Sequence, residues 1–273
     1  MLAGRRSRPD RIQTCMATTT RILLFGAAGR MGEAVMRLAA TNERASIAAA
    51  VVRDGSAQQG QVAANAPQLR YTATPPATTA ADVVLDVAGP AGFDAALAAA
   101  LARGIGFASG STGLSAPQLA ALEAASRQVP VLLAANFSLG IAVLAHLVAE
   151  AAGRLREWDI EIVEAHHRQK RDAPSGTALL LGDAARQGRQ TPLADADPAR
   201  TGPRKDGELG YAVLRAGDIV GEHTVWLAGE SERLELGHRA SDRDVFARGA
   251  LAAATWLAGR APGRYAMGDV LGF

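Results

Sequence analysis

The chain has 273 residues, 48% of them hydrophobic, with a formal charge of +2 and a mean hydropathy near zero, which points to a soluble globular protein of two modest domains, or of one α/β domain with a large insertion, and leaves no apolar run long enough to span a bilayer. The basic pI of about 9.0 arises in the first 15 residues, where Arg5, Arg6, Arg8 and Arg11 face only Asp10. That segment carries +3 and leaves the rest near −1, which excludes a nucleic-acid-binding body. The single cysteine, Cys15, excludes disulfides and cysteine metal sites and fits a reducing, cytoplasmic setting.

Residues 1–16 read as a leader without the apolar core of a secretory signal. "MATTTRILLFG" after it resembles a start at Met16, so the leader is either an upstream start or a short disordered arm. An Arg-rich transit peptide is disfavoured because the segment is short and not amphipathic. From Arg21, buried strands alternate with helices: "RILLFG", then "RMGEAVMRLAATN" at helical spacing, "ASIAAAVV", "ADVVLDVAG", and the helix "AGFDAALAAALARG" closing at Gly104. "IGFASGSTG" follows, then a helix from Ser115 as N-cap with Pro117 in its first turn, then the strand "VPVLLAANFS". This alternation predicts an α/β, Rossmann-like, doubly wound parallel sheet.

Past Ser138 the texture changes. "LGIAVLAHLVAEAAGRL" is a long helix, and "WDIEIVEA" alternates like a strand covered on one face. Residues 188–210 read as a long loop, and "GYAVLRAGDIVGEHTVWLAGESERLELGHRA" as antiparallel strands with turns at "AGD" and "AGES". "VFARGALAAATWLAGRAPGRY" is a helix placed to return to the first domain. The expected division is therefore a dinucleotide-binding domain from 17–139 and 244–273, and a smaller α+β domain with an open mixed sheet from 140–243.

"GAAGRMG", with Gly26, Gly29 and Gly32, follows a strand and opens a helix, where a Rossmann unit seats a pyrophosphate on free backbone amides. The spacing is G-x-x-G-x-x-G, with Ala28 in the centre. The second strand ends "VVRDGS", with Val52 where an acid would hold the ribose hydroxyls of NAD and Arg53 beside it. An arginine without that carboxylate suits the 2′-phosphate of NADP. Gly110, Ser111 and Thr112, and Ala135 to Ser138, stand at later strand ends facing the same crevice.

The densest segment is "EAHHRQKRDAPSGTA", residues 164–178, which holds His166 and His167 of five histidines and Lys170, one of two lysines. It runs from a strand end to a helix N-terminus that Ser175 or Thr177 can cap, so cations and free amides converge as a carboxylate receptor beside a proton-exchanging group. The His–His pair lacks a third ligand at suitable spacing for a metal site. Lysine can release a proton where arginine cannot, which marks Lys170 as a proton donor. His146 is expected in the core or at an interface, and His223, His238, Trp158, Trp226 and Trp256 as structural residues.

"GAAGRMG", "GSTG", "AANFS", "EAHHRQKRDAPSGTA", "RAGDIVGEHTV" and "ERLELGHRA" together closely resemble the dihydrodipicolinate reductases, in order from about Arg21 to the C-terminus. The resemblance implies reduction of 4-hydroxy-tetrahydrodipicolinate to tetrahydrodipicolinate with loss of water, in lysine and diaminopimelate biosynthesis, using NADPH or NADH; Val52 and Arg53 make NADPH the expected cofactor here and NADH the weaker. It implies His166 as catalytic acid/base and Lys170 as proton donor, with His167, Gly176 and Thr177 on the substrate dicarboxylate. Gly26, Ala27, Ala28, Gly29, Arg30 and Met31, with Gly110, Ser111, Thr112, Ala135, Asn136, Phe137 and Ser138, would contact the cofactor. It further implies a homotetramer assembled through the sheets of the second domain. The chain departs from the family pattern at Val52, often an acid, and at Gly89, an arginine in some members.

Overall fold

The first strand, β1 (Thr20–Phe25), is apolar on both faces: Ile22 and Leu24 join one buried cluster, Leu23 and Phe25 another. A strand of this kind belongs inside a parallel sheet with helices on each side. The computed structural model describes residues 19–197 and 201–273, so the leader and the start read at Met16 lie outside the described residues. In chain order β1 is followed by α1 (Arg30–Ala39), β2 (Ala45–Val51), β3 (Val62–Ala63), β4 (Ala66–Thr72), β5 (Val83–Asp86), α2 (Pro90–Arg103), β6 (Gly106–Ser109), α3 (Ala116–Ala125) and β7 (Pro130–Leu133). Next come α4 (Leu139–Arg154), β8 (Asp159–His166), α5 (Gly176–Arg189), β9 (Ala194–Asp195), β10 (Glu208–Arg215), β11 (Gly221–Ala228) and β12 (Arg233–Ala240). The chain closes with α6 (Asp244–Leu257), β13 (Gly263–Tyr265) and α7 (Met267–Leu271).

The first sheet has the order β13-β7-β6-β5-β1-β2-β4-β3, parallel except for the β3–β4 pair. The expected doubly wound sheet is present, and its order reverses between β1 and β5. Ser115 caps α3 in a reciprocal capping box with Gln118. The last helix does return to this sheet: α6 supplies Ala247, Ala250, Ala254 and Leu257 to the cluster that includes Ile22 and Leu24. Asp244 at its start takes two hydrogen bonds from Arg37 of α1, at 2.5 and 2.9 Å. Strand β4, "APQLRYT", had no counterpart in the sequence reading, because its proline and exposed polar residues near the sheet edge hide the apolar pattern.

The second sheet has the order β12-β11-β8-β10-β9. Helices α4 and α5 cover one face, where Ile160, Ile162, Val225 and Leu227 meet Ile141, Leu144 and Leu181. Two expectations need correction. β10 and β11 do not pair as a hairpin; β8 lies between them, parallel to β10 and antiparallel to β11. After β10 the "AGD" turn instead prolongs the ladder with β8, through Ala216 N–H to the His166 carbonyl and Arg168 N–H to the Gly217 carbonyl. The span 188–210 is not one loop: α5 runs to Arg189, β9 pairs with β10, and β10 starts at Glu208. Arg204 anchors the approach to β10, through Asp159 at 2.9 Å, Glu161 and the Glu208 carbonyl.

Candidate active site

The turn from β1 to α1 lies at the reversal of the first sheet. Gly26 has φ of +81°, and a Cβ there would stand 2.7 Å from the Val87 carbonyl group; a Cβ on Gly32 would meet the Gly26 oxygen at 2.2 Å. The glycines let α1 press against the turn, and the first-turn N–H groups of Arg30 and Met31 have no partner within the helix. That end fits the pyrophosphate of a dinucleotide. Gly29 caps α1, and Ala28 and exposed Arg30 border the turn. Ala27 is buried beneath it, with its N–H given to the Val51 carbonyl at 3.1 Å. A cavity of about 510 Å³ extends from Gly26 and Gly29 to Val52, Arg53, Ser56 and Gln58, with Val52 buried and Arg53 exposed.

The later strand ends are organised by Asp86, a buried carboxylate at the end of β5. It accepts the hydroxyls of Ser109 and Ser111, each at 2.7 Å, and the Ala88 N–H at 2.9 Å. Burial raises its pKa against those three hydrogen bonds. Gly110 and Ser111 are thereby held, and Thr112 is exposed beside them. Beyond β7, Ala135 is exposed, Phe137 is buried in the core, and Ser138 caps α4 by accepting the Ile141 N–H at 3.3 Å. Asn136 reaches the second unit: its amide nitrogen donates to the Thr177 hydroxyl at 2.9 Å.

The period of two along β8 sets the other side. Ile160, Ile162, Glu164 and His166 share the buried face, so the strand changes from apolar to ionisable as it emerges between its neighbours. His223 of β11 lies directly across from Glu164, and Arg215 of β10 directly across from His166. Arg215 holds Glu164 with two hydrogen bonds of 2.9 Å, the Ser175 N–H adds a third at 3.0 Å, and His166 Nδ1 bonds the same carboxylate. Ser175 caps α5 through the Ala178 N–H at 3.2 Å, and its hydroxyl lies 3.1 Å from His223 Nε2. Gly176 is exposed and Thr177 half-buried on the first turn of α5. Lys170 is held by both Asp172 oxygens at 2.8 Å. His167 leaves the sheet, and Arg243 donates to its Nε2 at 3.2 Å.

Burial lowers the His166 pKa, and Lys170 and Arg215 add to that, against the opposing effect of Glu164, so the ring is neutral near pH 7. For Glu164, burial would raise the pKa, but Arg215, His166 and the Ser175 N–H together hold it below the ordinary carboxylate range. His223 falls to about 4, first through burial and then through His166. The result is an ionised, fully buried carboxylate supporting a neutral imidazole beside an ammonium group and a helix N-terminus.

Sequence reasoning brought His166, His167, Lys170, Gly176 and Thr177 to one segment, and the structure gathers them at one end of the second sheet. It missed Arg215, Arg243 and Asp86, gave Glu164 no role, and took His223 as merely structural. Only Glu164 carried a signal, its spacing of two from His166 on a strand. His146, expected in the core or at an interface, is exposed on α4 and stacked on Phe273. Glu164, His166 and His223 bring possible ligand atoms within 4.8 Å of one another, a trio hidden from the sequence. Arg215 occupies both carboxylate oxygens, however, and a cation there would face its charge.

Two family models match successive parts of the chain. Residues 20–137 match the family model "Dihydrodipicolinate reductase, N-terminus" and residues 140–271 the model "Dihydrodipicolinate reductase, C-terminus". A 4-hydroxy-tetrahydrodipicolinate reductase of Stenotrophomonas maltophilia is 50% identical over 255 residues, covering 93% of this chain and 98% of the relative. One from Caulobacter vibrioides is 47% identical over 265 residues, covering 94% and 99%. The fold is shared with a dipicolinate-bound dihydrodipicolinate reductase from Paenisporosarcina sp. TG-14, at a TM-score of 0.71 and 20% identity, covering 91% of this chain and 97% of that one.

Proposed function

The chain belongs to the dihydrodipicolinate reductase family, and from that premise we propose how its residues divide the work of reducing 4-hydroxy-tetrahydrodipicolinate in lysine and diaminopimelate biosynthesis. The reaction consumes substrate, NAD(P)H and a proton and yields tetrahydrodipicolinate, NAD(P)⁺ and water. When bound, the nicotinamide cofactor supplies the hydride. The protein's own residues bind both molecules, exclude water and deliver the proton.

The observation that carries this division is the Asn136–Thr177 hydrogen bond, which joins the strand end after β7 to the N-terminus of α5, where His166 and Lys170 also converge. The substrate is a small cyclic dicarboxylate. One carboxylate would take the N–H groups of Gly176 and Thr177 and the Thr177 hydroxyl, with His167 as a further donor and Arg243 beside it. His166 and Lys170 then stand as the groups that hold and move the proton accompanying hydride addition. On the cofactor side, residues 26–31, 110–112 and 135–138 form the binding loops. Arg53 at the rim, with Val52 in place of a carboxylate, supports a preference for NADPH over NADH.

The units we assign are 17–139 with 244–273 for the cofactor and 140–243 for substrate and assembly. The face of the second sheet away from α4 and α5 presents Val163, Thr224, Trp226 and Leu214. This apolar centre supports a homotetramer joined through those sheets. No helix among the described residues is long and apolar enough to cross a membrane, and the assignment is a cytoplasmic enzyme. The test is oxidation of NADPH, followed optically, with substrate generated by the preceding synthase, and repeated with NADH. Turnover with a higher kcat/KM for NADPH is expected. No turnover would sink the catalytic reading, and an NADH preference would sink the role given to Arg53.

A further inference from the structure

Glu164 is fully buried, and a charge so placed is retained at a cost unless each oxygen is satisfied. Here Oε1 accepts from Ser175 N–H at 3.0 Å and Arg215 Nη2 at 2.9 Å, while Oε2 accepts from Arg215 Nη1 at 2.9 Å and faces His166 Nδ1. Because the carboxylate can only accept, the proton of the neutral imidazole is drawn to Nδ1, which leaves Nε2 free to exchange. Residue 221 beside it is glycine, where a Cβ would stand 3.1 Å from that Nε2. Arg215 Nη2 also donates to the Asp172 carbonyl at 2.6 Å, and the Asp172 carboxylate holds Lys170. One guanidinium therefore spans the supports of both proton-handling side chains.

We propose that Glu164, clamped by Arg215, is the positioning residue for His166: it selects the Nδ1–H tautomer, presents Nε2 to the substrate and stabilises the imidazolium formed when Nε2 takes a proton. This rests on the reading of His166 as the acid/base group. The charged or titratable groups facing His166 are Glu164 on its own strand, Arg215 on β10, His223 on β11 and Lys170 in the following loop.

The test uses the full-length enzyme with Glu164→Gln, and Glu164→Gln/Arg215→Met so that no guanidinium is left unpaired if the single variant folds poorly. His166→Ala serves as the reference. We expect kcat to fall on the order of 10²-fold in both Glu164 variants, with substrate KM and NADPH affinity within about twofold. The limb of the kcat–pH profile due to His166 should move to lower pH, since Glu164 favours the charged ring. ¹⁵N spectra of histidine-labelled protein should lose the fixed Nδ1–H signature. A wild-type pH limb in folded Glu164→Gln, or a wild-type kcat in the double variant, alongside an inactive His166→Ala, would overturn the positioning role alone. Parallel loss of NADPH binding and kcat would overturn it too, as general damage. An active His166→Ala would instead overturn the underlying reading of His166.

Discussion

The side-chain amide of Asn136 donates a 2.9 Å hydrogen bond to the Thr177 hydroxyl, joining the end of β7 to the first turn of α5. Asn136 is itself fixed, because its Oδ1 accepts the Ser138 N–H at 2.8 Å. The bond therefore sets the distance between the strand end after β7 and the N-terminus of α5. Removing both interactions with Asn136→Ala should cost about 1–2 kcal/mol of stability and lower kcat/KM roughly tenfold through misplacement. Thr177→Ser, which keeps the hydroxyl, should stay near wild type. Thermal melting and steady-state kinetics check both; an unaltered kcat/KM in Asn136→Ala would show that this bond does not couple the sites.

His166→Ala and Lys170→Ala should each lower kcat by about 10²- to 10⁴-fold, the usual range for a lost acid/base group. NADPH binding, followed by fluorescence titration, should change less than about twofold, because neither side chain lies on the glycine turn. Either variant retaining most of its turnover would remove that residue from the chemistry.

His223 links pH to stability. Its pKa is about 4 in the folded chain against about 6.5 when unfolded, so the unfolded state binds the extra proton first. Stability from the neutral ring is fully present above pH 6.5 and is lost as pH falls toward 4, by roughly 2–4 kcal/mol in all. Its Nδ1 is buried without a hydrogen-bond partner, which leaves the ring little to gain from a second proton. Urea denaturation of wild type and His223→Gln at pH 7.5, 5.5 and 4.5 should show the variant losing less stability toward acid. Parallel curves would mean that His223 is not the linked group.

Light scattering on the eluting protein should give about four times the 28.2 kDa chain mass. Trp226 lies on the open sheet face with the Arg233 guanidinium 4.7 Å above its ring. Trp226→Glu places a charge in that face and should shift the mass toward smaller species. A wild-type monomer would dismiss the assembly through these sheets.

The sequence by itself determined the alternation of strands and helices in the first sheet and the titratable groups gathered within one segment. An apolar strand, a glycine turn and a helix in succession imply a nucleotide sheet, since period and turn residues are local properties. "EAHHRQKRDAPSGTA" holds two imidazoles, an ammonium and a helix cap within fifteen residues, so their meeting required no knowledge of distant pairing. Only the tertiary structure decided what surrounds His166. Arg215 and His223 lie 51 and 59 residues from Glu164 in the chain, and reach it because β8 inserts between β10 and β11. Alternation of side chains marks a strand but not its neighbours, which is also why β10 and β11 were read as adjacent. Strand pairing is settled by burial across the whole sheet, and with it the buried carboxylate that carries the imidazole.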